Sequence, residues 1–183
     1  MKAPNSIITL LTLVFFLYCL SASGQTSKSA PGMQAQGDPP TVKPGLEIHR
    51  DSLIKIIAEA ADELSFKQAT DIKKLPNYIA TNANQSNVQL VGQPEELILA
   101  KWMFNFNADT IINEAELAKV AWFALAMGGK NGAYWFISNL EKIKNNMNKD
   151  FTQTMIFNYN RNGTLKYIKK SKTLILVFNP PVL

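Results

Sequence analysis

Residues 151–168, FTQTMIFNYNRNGTLKYI, mark a change of period in the chain. From Thr152 to Tyr159, and again from Thr164 to Lys169, apolar and polar residues alternate in runs rich in Thr, Ile, Phe and Tyr. That two-residue period is the mark of a strand with one buried face. Asn160-Arg161-Asn162-Gly163 stands between the runs. Asn-Gly there is a strong hairpin signal, because both residues tolerate the positive φ that a tight β-turn needs. Lys169 to Lys172 interrupt the apolar pattern, and Thr173 to Phe178 resume it until Pro180-Pro181 ends the run. The stretch therefore predicts a three-stranded antiparallel sheet at the C-terminus.

Working back from this sheet, the spacing turns helical. Residues 133–147 carry Phe136, Leu140, Ile143 and Met147 at three- and four-residue steps. Before them, Asn113 and Glu116 stand in the positions of a capping box, ahead of an apolar run from Leu117 to Met127 that Gly128-Gly129 stops. A segment apolar nearly all round predicts a buried helix. Pro94-Glu95-Glu96 resembles a helix start and predicts a helix to Phe106, with Met103 to Asn107 also readable as a strand. Ile48, Leu53, Ile56, Ile57, Ala60, Ala61 and Leu64 predict another over about 47–64. A turn or two of helix is expected near Lys67–Leu75, a loop at 82–87 and a short strand at Val88–Val91. The expected fold class is α+β: about four N-terminal helices, then the three-stranded antiparallel sheet.

The N-terminus has the order of a secretory signal peptide. Lys2 supplies a positive charge, Ile7 to Leu20 form an apolar run of 14 residues, and Ala22 and Gly24 place small residues before Gln25. The run is shorter than the roughly 20 residues that span a bilayer, so cleavage before Gln25 is expected rather than anchorage. A lipoprotein cleavage site fits poorly, because Tyr18 precedes Cys19. Residues 25–45 then read as a flexible Pro/Ser/Gln linker with too little apolar surface to offset its ordering entropy. Residues 46–183 are expected to form one globular domain. The expected location is the periplasm or the extracellular space, with no transmembrane segment left after cleavage.

Cys19 is the chain's one cysteine, so a mature chain would lack thiols and disulfides. His49 is the one histidine. Thiolate and multi-histidine metal sites are thereby excluded within one chain, and a Ser-His-Asp triad would have to use His49, which reads better as a surface or capping residue. Gly128-Gly129-Lys130-Asn131-Gly132 has the glycines of a phosphate loop without its spacing or preceding strand, and a turn explains it better. No cofactor is expected. Glu95, Glu96, Asp109, Glu114 and Glu116 leave room for carboxylate acid–base chemistry, yet each also serves as a helix-start charge or cap. Asn84-Gln85-Ser86 and Asn162-Gly163-Thr164 fit the glycan acceptor pattern, which matters in a eukaryote. Trp102, Trp122 and Trp135 sit in apolar helix segments and read as core rather than as a sugar-stacking platform.

Charge is unevenly spread. Residues 46–129 carry seven Lys or Arg against eleven Asp or Glu, whereas residues 130–183 carry nine against two. A solvated basic face is the commoner meaning of such a bias. The specific alternative is a basic, aromatic-bearing site on the C-terminal sheet: Tyr159, Arg161, Lys166, Tyr167, Lys169, Lys170 and Lys172. Its partner would be an acidic protein or acidic polymer; nucleic acid is not expected, since no binding motif is present. Lys166, Lys169, Lys170 and Lys172 would also guard a sheet edge. The expected function is a small exported binding protein without catalysis. The alternatives are a small-molecule or lipid carrier and a carboxylate-based hydrolase of glycan or cell-wall material.

Overall fold

The computed structural model describes residues 45–84, 86–157 and 161–181. The expected signal peptide at 1–24, all of the expected linker 25–45 but Gly45, and Tyr159 lie outside the described residues. Helix α1 (Arg50–Ala58) leads into four strands: β1 (Lys67–Ile72), β2 (Leu75–Thr81), β3 (Asn87–Gln93) and β4 (Glu96–Asn105). The long helix α2 (Thr110–Lys144) follows, and then β5 (Phe151–Phe157), β6 (Arg161–Ile168) and β7 (Thr173–Asn179). The strands form one seven-stranded sheet in the order β1-β2-β3-β4-β7-β6-β5, antiparallel throughout.

The α+β class holds, but the expected arrangement of about four helices before a three-stranded sheet does not. Two helices are present among the described residues, and residues 67–105 build four strands; the short strand expected at Val88–Val91 lies within β3, while the other three replace expected helices and loops. Pro94-Glu95 is the two-residue turn between β3 and β4, not a helix start, and Gln93 faces Glu96 across it. The break expected at Gly128-Gly129 is present, but as a kink inside one long helical element rather than as its end. Gly129 takes φ 62° and ψ −159°, and the helix resumes beyond this kink. The three C-terminal strands exist, but β7 enters the middle of the sheet beside β4, so β6 is an interior strand and β5 the edge. Lys166 and its neighbours therefore guard no edge.

Both helices cover one face. Trp102, Phe104, Leu174, Leu176, Phe178, Leu165 and Tyr167 point inward from the sheet and are buried. They meet Leu53 and Ile57 of α1 and Leu117, Val120, Phe123, Met127 and Phe136 of α2 in one continuous core. Ring contacts bind the layers: Phe123 packs tilted against Trp102 at 5.6 Å and edge-on to Phe178 at 5.8 Å between ring centres. Core tryptophan Trp102 comes from a strand, whereas Trp122 and Trp135 come from α2. Gly163 is in β6, not in a turn; it sits opposite Met155 and Phe178, where the Phe157 and Phe178 rings occupy the space of a side chain. Among the described residues no helix is long and apolar enough to cross a membrane.

Candidate binding groove

A groove of about 510 Å³ opens where α2 begins and ends and where β4 and β6 finish. Phe106, Leu117, Met147 and Tyr167 give it an apolar lining, and Lys144, Lys169 and Lys172 bring three cations to it. The aromatic side is built by ring packing: Phe106 stands edge-on to Phe104 at 5.0 Å and to Tyr167 at 6.0 Å. Tyr167 Oη donates to the Met147 carbonyl at 3.3 Å, fixing the ring against the end of α2. Burial, with the charge of Asp150 adding to it, holds the Tyr167 hydroxyl above its ordinary pKa.

The polar wall comes from the start of α2. Asp109, rather than Asn113, is the N-cap, accepting from Ile111 N at 2.8 Å and Ile112 N at 3.3 Å. Asn113 instead reaches back to Asn107: it accepts from the Asn107 amide at 3.0 Å and donates to the Asn107 carbonyl at 3.0 Å. The rim is similarly tied down. The Lys172 carbonyl accepts from Phe106 N at 2.9 Å, and Lys169 N donates to Asp150 Oδ1 at 2.8 Å. Backbone positions are thus fixed while the ammonium groups stay outside. Among the described residues Lys144, Lys169 and Lys172 have no ion-pair partner within 4.0 Å, and Glu114 is the one carboxylate lining the groove.

Of the seven residues expected to form a basic-aromatic face, Tyr167, Lys169 and Lys172 meet here. Lys166 does not, because strand alternation turns it to the opposite face of the sheet, between Thr152 and Ile175. Lys170 is exposed in the β6–β7 turn. Arg161 is a structural tie: its guanidinium donates to the carbonyls of Leu46 at 2.7 Å, Met127 at 2.8 Å and Glu47 at 3.2 Å. It thereby fastens the start of the domain to α2 two residues before the kink at Gly129. Burial pulls its pKa down, partly offset by Glu47. Sequence reasoning missed Phe106, Asn107, Asn113, Leu117, Lys144 and Met147 as lining residues, since all but Asn107 fit helix patterns and nothing local reports that the two ends of α2 frame one groove.

The five carboxylates considered for acid–base chemistry are dispersed. Glu95, Asp109 and Glu114 are exposed, Glu96 is half-buried beside Gly45, and Glu116 is fully buried. Glu116 is the centre of a polar knot that joins α2 to the loop between β2 and β3. It accepts from Ser86 Oγ at 2.5 Å, Lys119 Nζ at 2.9 Å, Asn82 Nδ2 at 3.0 Å and Asn84 Nδ2 at 3.1 Å. Trp102 Nε1 donates to Ser86 Oγ at 3.2 Å, and Lys119 also pairs with Glu63. Burial pushes the Glu116 carboxyl up, but the hydrogen bonds from Ser86, Lys119, Asn84 and Asn82 outweigh it and hold the pKa below the ordinary range. With its oxygens engaged by this many donors, Glu116 is an ionised anchor. Asn84, an expected glycan acceptor, spends its amide here. Among the described residues no group of three His, Cys, Asp or Glu stands close enough to hold a metal ion. His49 is exposed at the N-cap position of α1, and its side chain makes no capping bond.

Comparison with protein-family models, curated proteins and solved structures finds no match for this chain.

Proposed function

We propose that this chain is an exported, non-catalytic binding protein that takes an anionic partner, an acidic protein segment or acidic polymer, in the groove rimmed by Lys144, Lys169 and Lys172. The observation that carries the reading is three lysines, unpaired among the described residues, around a lining of Phe106, Leu117, Met147 and Tyr167. Such a site offers an apolar contact for affinity and cations for steering and register. A single lining carboxylate, Glu114, supplies no acid–base pair, which favours binding over hydrolysis at this place.

The test is fluorescence anisotropy with labelled poly-L-glutamate, comparing the wild-type chain with the Lys169→Gln/Lys172→Gln variant. Exposed charge contacts are worth about 0.2–1 kcal/mol each. Removing two should weaken binding about three- to tenfold at low salt, with the difference shrinking as salt screens the charges. Equal affinity of the two proteins, or no binding by either, overturns the reading. A small-molecule carrier is the second reading, favoured by the groove's volume of about 510 Å³, within the range of ligand pockets. Native mass spectrometry of the purified protein would then show a retained small molecule.

A further inference from the structure

The two edges of the sheet are built differently. At one end, β1 carries Lys67 and Asp71, is interrupted by a register shift between Ala69 and Ile72, and turns into β2 through Lys73 and Lys74, both at positive φ. Charge and a bulge are standard means of keeping an edge from recruiting another strand. At the other end, β5 reads FTQTMIF, with no charged residue, no proline and no glycine. It pairs with β6 without a register shift from Phe151↔Tyr167 to Phe157↔Arg161. Among the described residues nothing pairs with its outer side, a straight row of backbone N–H and C=O groups beside Ile156 at 70% and Met155 at 37% exposure. The lysines that would be expected to guard it lie on β6 and the following turn, one strand in.

From this contrast we propose that β5 is a self-pairing edge, and that two copies of the chain join through antiparallel β5–β5′ pairing, so that one sheet runs through both. The occupant is argued from the strand's own sequence. Centred on Thr154, the pairing sets Phe151 against Phe157′, Thr152 against Ile156′ and Gln153 against Met155′, each pair on one face of the sheet. Extended by the observed β5–β6 register, the outward rows read Thr164-Thr154-Thr154′-Thr164′ and Lys166-Thr152-Ile156′-Asn162′. The inward rows read Leu165-Gln153-Met155′-Gly163′ and Tyr167-Phe151-Phe157′-Arg161′. Aromatic, β-branched and threonine pairs are the favourable cross-strand combinations, and no like charges fall opposite one another. The isologous geometry closes at two copies, since each chain has one such edge and β1 is guarded.

Sedimentation velocity on residues 25–183 tests this, with the wild type compared with Ile156→Lys. The substituted side chain is solvent-facing, so the domain should fold while a lysine on the edge opposes pairing. A concentration-dependent dimer in the wild type, weakened about tenfold or more in the variant, is the expected result. A wild type that stays monomeric, or a dimer indifferent to Ile156→Lys, overturns the proposal. A second measurement uses Thr154→Cys in residues 25–183, a stretch without any native cysteine. Residues opposite each other in an antiparallel pair have Cα atoms about 4.5–5.5 Å apart, within disulfide reach. Oxidation should therefore give a covalent dimer, while Thr70→Cys on β1 should not. Cross-linking equal at both edges, or absent at Thr154, overturns the proposal. So does a monomer whose β5 amides are protected from hydrogen exchange, which would mean that residues 25–44 or another protein cover the edge. The readout is oligomeric state, so the groove reading can fail without affecting it.

Discussion

Glu116→Ala is the substitution that most directly probes what holds the β2–β3 loop on α2. The carboxylate is fully buried and accepts from Ser86, Lys119, Asn82 and Asn84 at 2.5 to 3.1 Å. Hydrogen bonds to a charged group are worth about 1.5–3 kcal/mol each, but they cannot simply be added, because the donors differ in what they lose. Lys119 keeps Glu63 and is not orphaned. Asn82 and Asn84 are half-buried and can turn to water. Ser86 is fully buried, and its hydroxyl loses its one acceptor at this site while still receiving Trp102 Nε1. Removing one member of a buried pair costs about 3–5 kcal/mol when nothing replaces it, so the partial compensation here sets the expected loss at about 3 kcal/mol. At a typical urea m-value of about 2 kcal/mol/M, the midpoint should fall by about 1.5 M. Trp102 lies within the knot, so tryptophan fluorescence follows the transition directly. Glu116→Gln keeps the shape and loses the charge, and should fall between the two. A loss below about 1 kcal/mol for Glu116→Ala, or a Glu116→Gln protein as stable as the wild type, would refute the assignment of Glu116 as a charged anchor.

The same knot predicts an acid-side loss of stability. For both Glu116 and Glu63 burial pushes the carboxyl up, yet hydrogen bonds, including those from Lys119, outweigh it and leave the folded pKa below the ordinary carboxylate value. Their contribution is therefore complete above an unfolded pKa of about 4.3 and is lost as pH falls through the lower folded values. Urea midpoints should hold from neutral pH to about 5 and drop below about 4.3, with a shallower drop in Glu116→Ala; parallel curves would count against the sign. Arg161→Ala should cost about 2–3 kcal/mol, since three backbone carbonyls lose a charged donor. Polyglutamate affinity should stay unchanged, and a matching loss of binding would return Arg161 to the site. Gly163→Ala puts a Cβ 2.5 Å from Phe157 Cε2 and 3.1 Å from Phe178 Cε1. It should destabilise by about 1–3 kcal/mol in thermal melts, and a neutral result would mean the rings yield.

The C-terminal strands were legible because β6 and β7 bury one face only, so alternation survives in the sequence. Residues 96–105 were not, for a specific reason. The register slips between Val91 and Gly92, so that Leu97 and Ala100 both face the core although they are three residues apart. Three-residue spacing, a proline and two glutamates ahead of it, and Phe104 four residues further on together imitate an amphipathic helix. The bulge that produces the imitation leaves no local mark other than Gly92, whose φ of 140° and close approach to the Glu96 carbonyl require glycine. In α2 the difficulty runs the other way. Gly128-Gly129 announces a break, and Gly129 makes it with a non-helical kink, but no loop follows: the helix resumes at once because Phe136, Leu140 and Ile143 join the same core.

The groove shows why a basic segment reads poorly as a site. Tyr167, Lys169 and Lys172 converge because β6 turns Tyr167 inward at the place where the strand ends, and the turn that follows carries the two lysines over the same edge of the core. Lys166 is the immediate neighbour of Tyr167 and is therefore on the opposite face of the sheet. Arg161 starts the strand, at the far end from the groove, where its guanidinium satisfies backbone carbonyls instead of meeting solvent. Charge density along the sequence is thus divided among three tasks by strand period and strand length alone. What selects the members of the groove is the partner surface, Phe106 after β4 and both ends of α2, which lies about 60 residues away or less along the chain and reaches the groove only once β7 has inserted between β4 and β6. That insertion also decides the edge. By taking the central place beside β4, β7 leaves the uncharged β5 outermost among the described residues, so a strand written for an interior position ends with one side unpaired there.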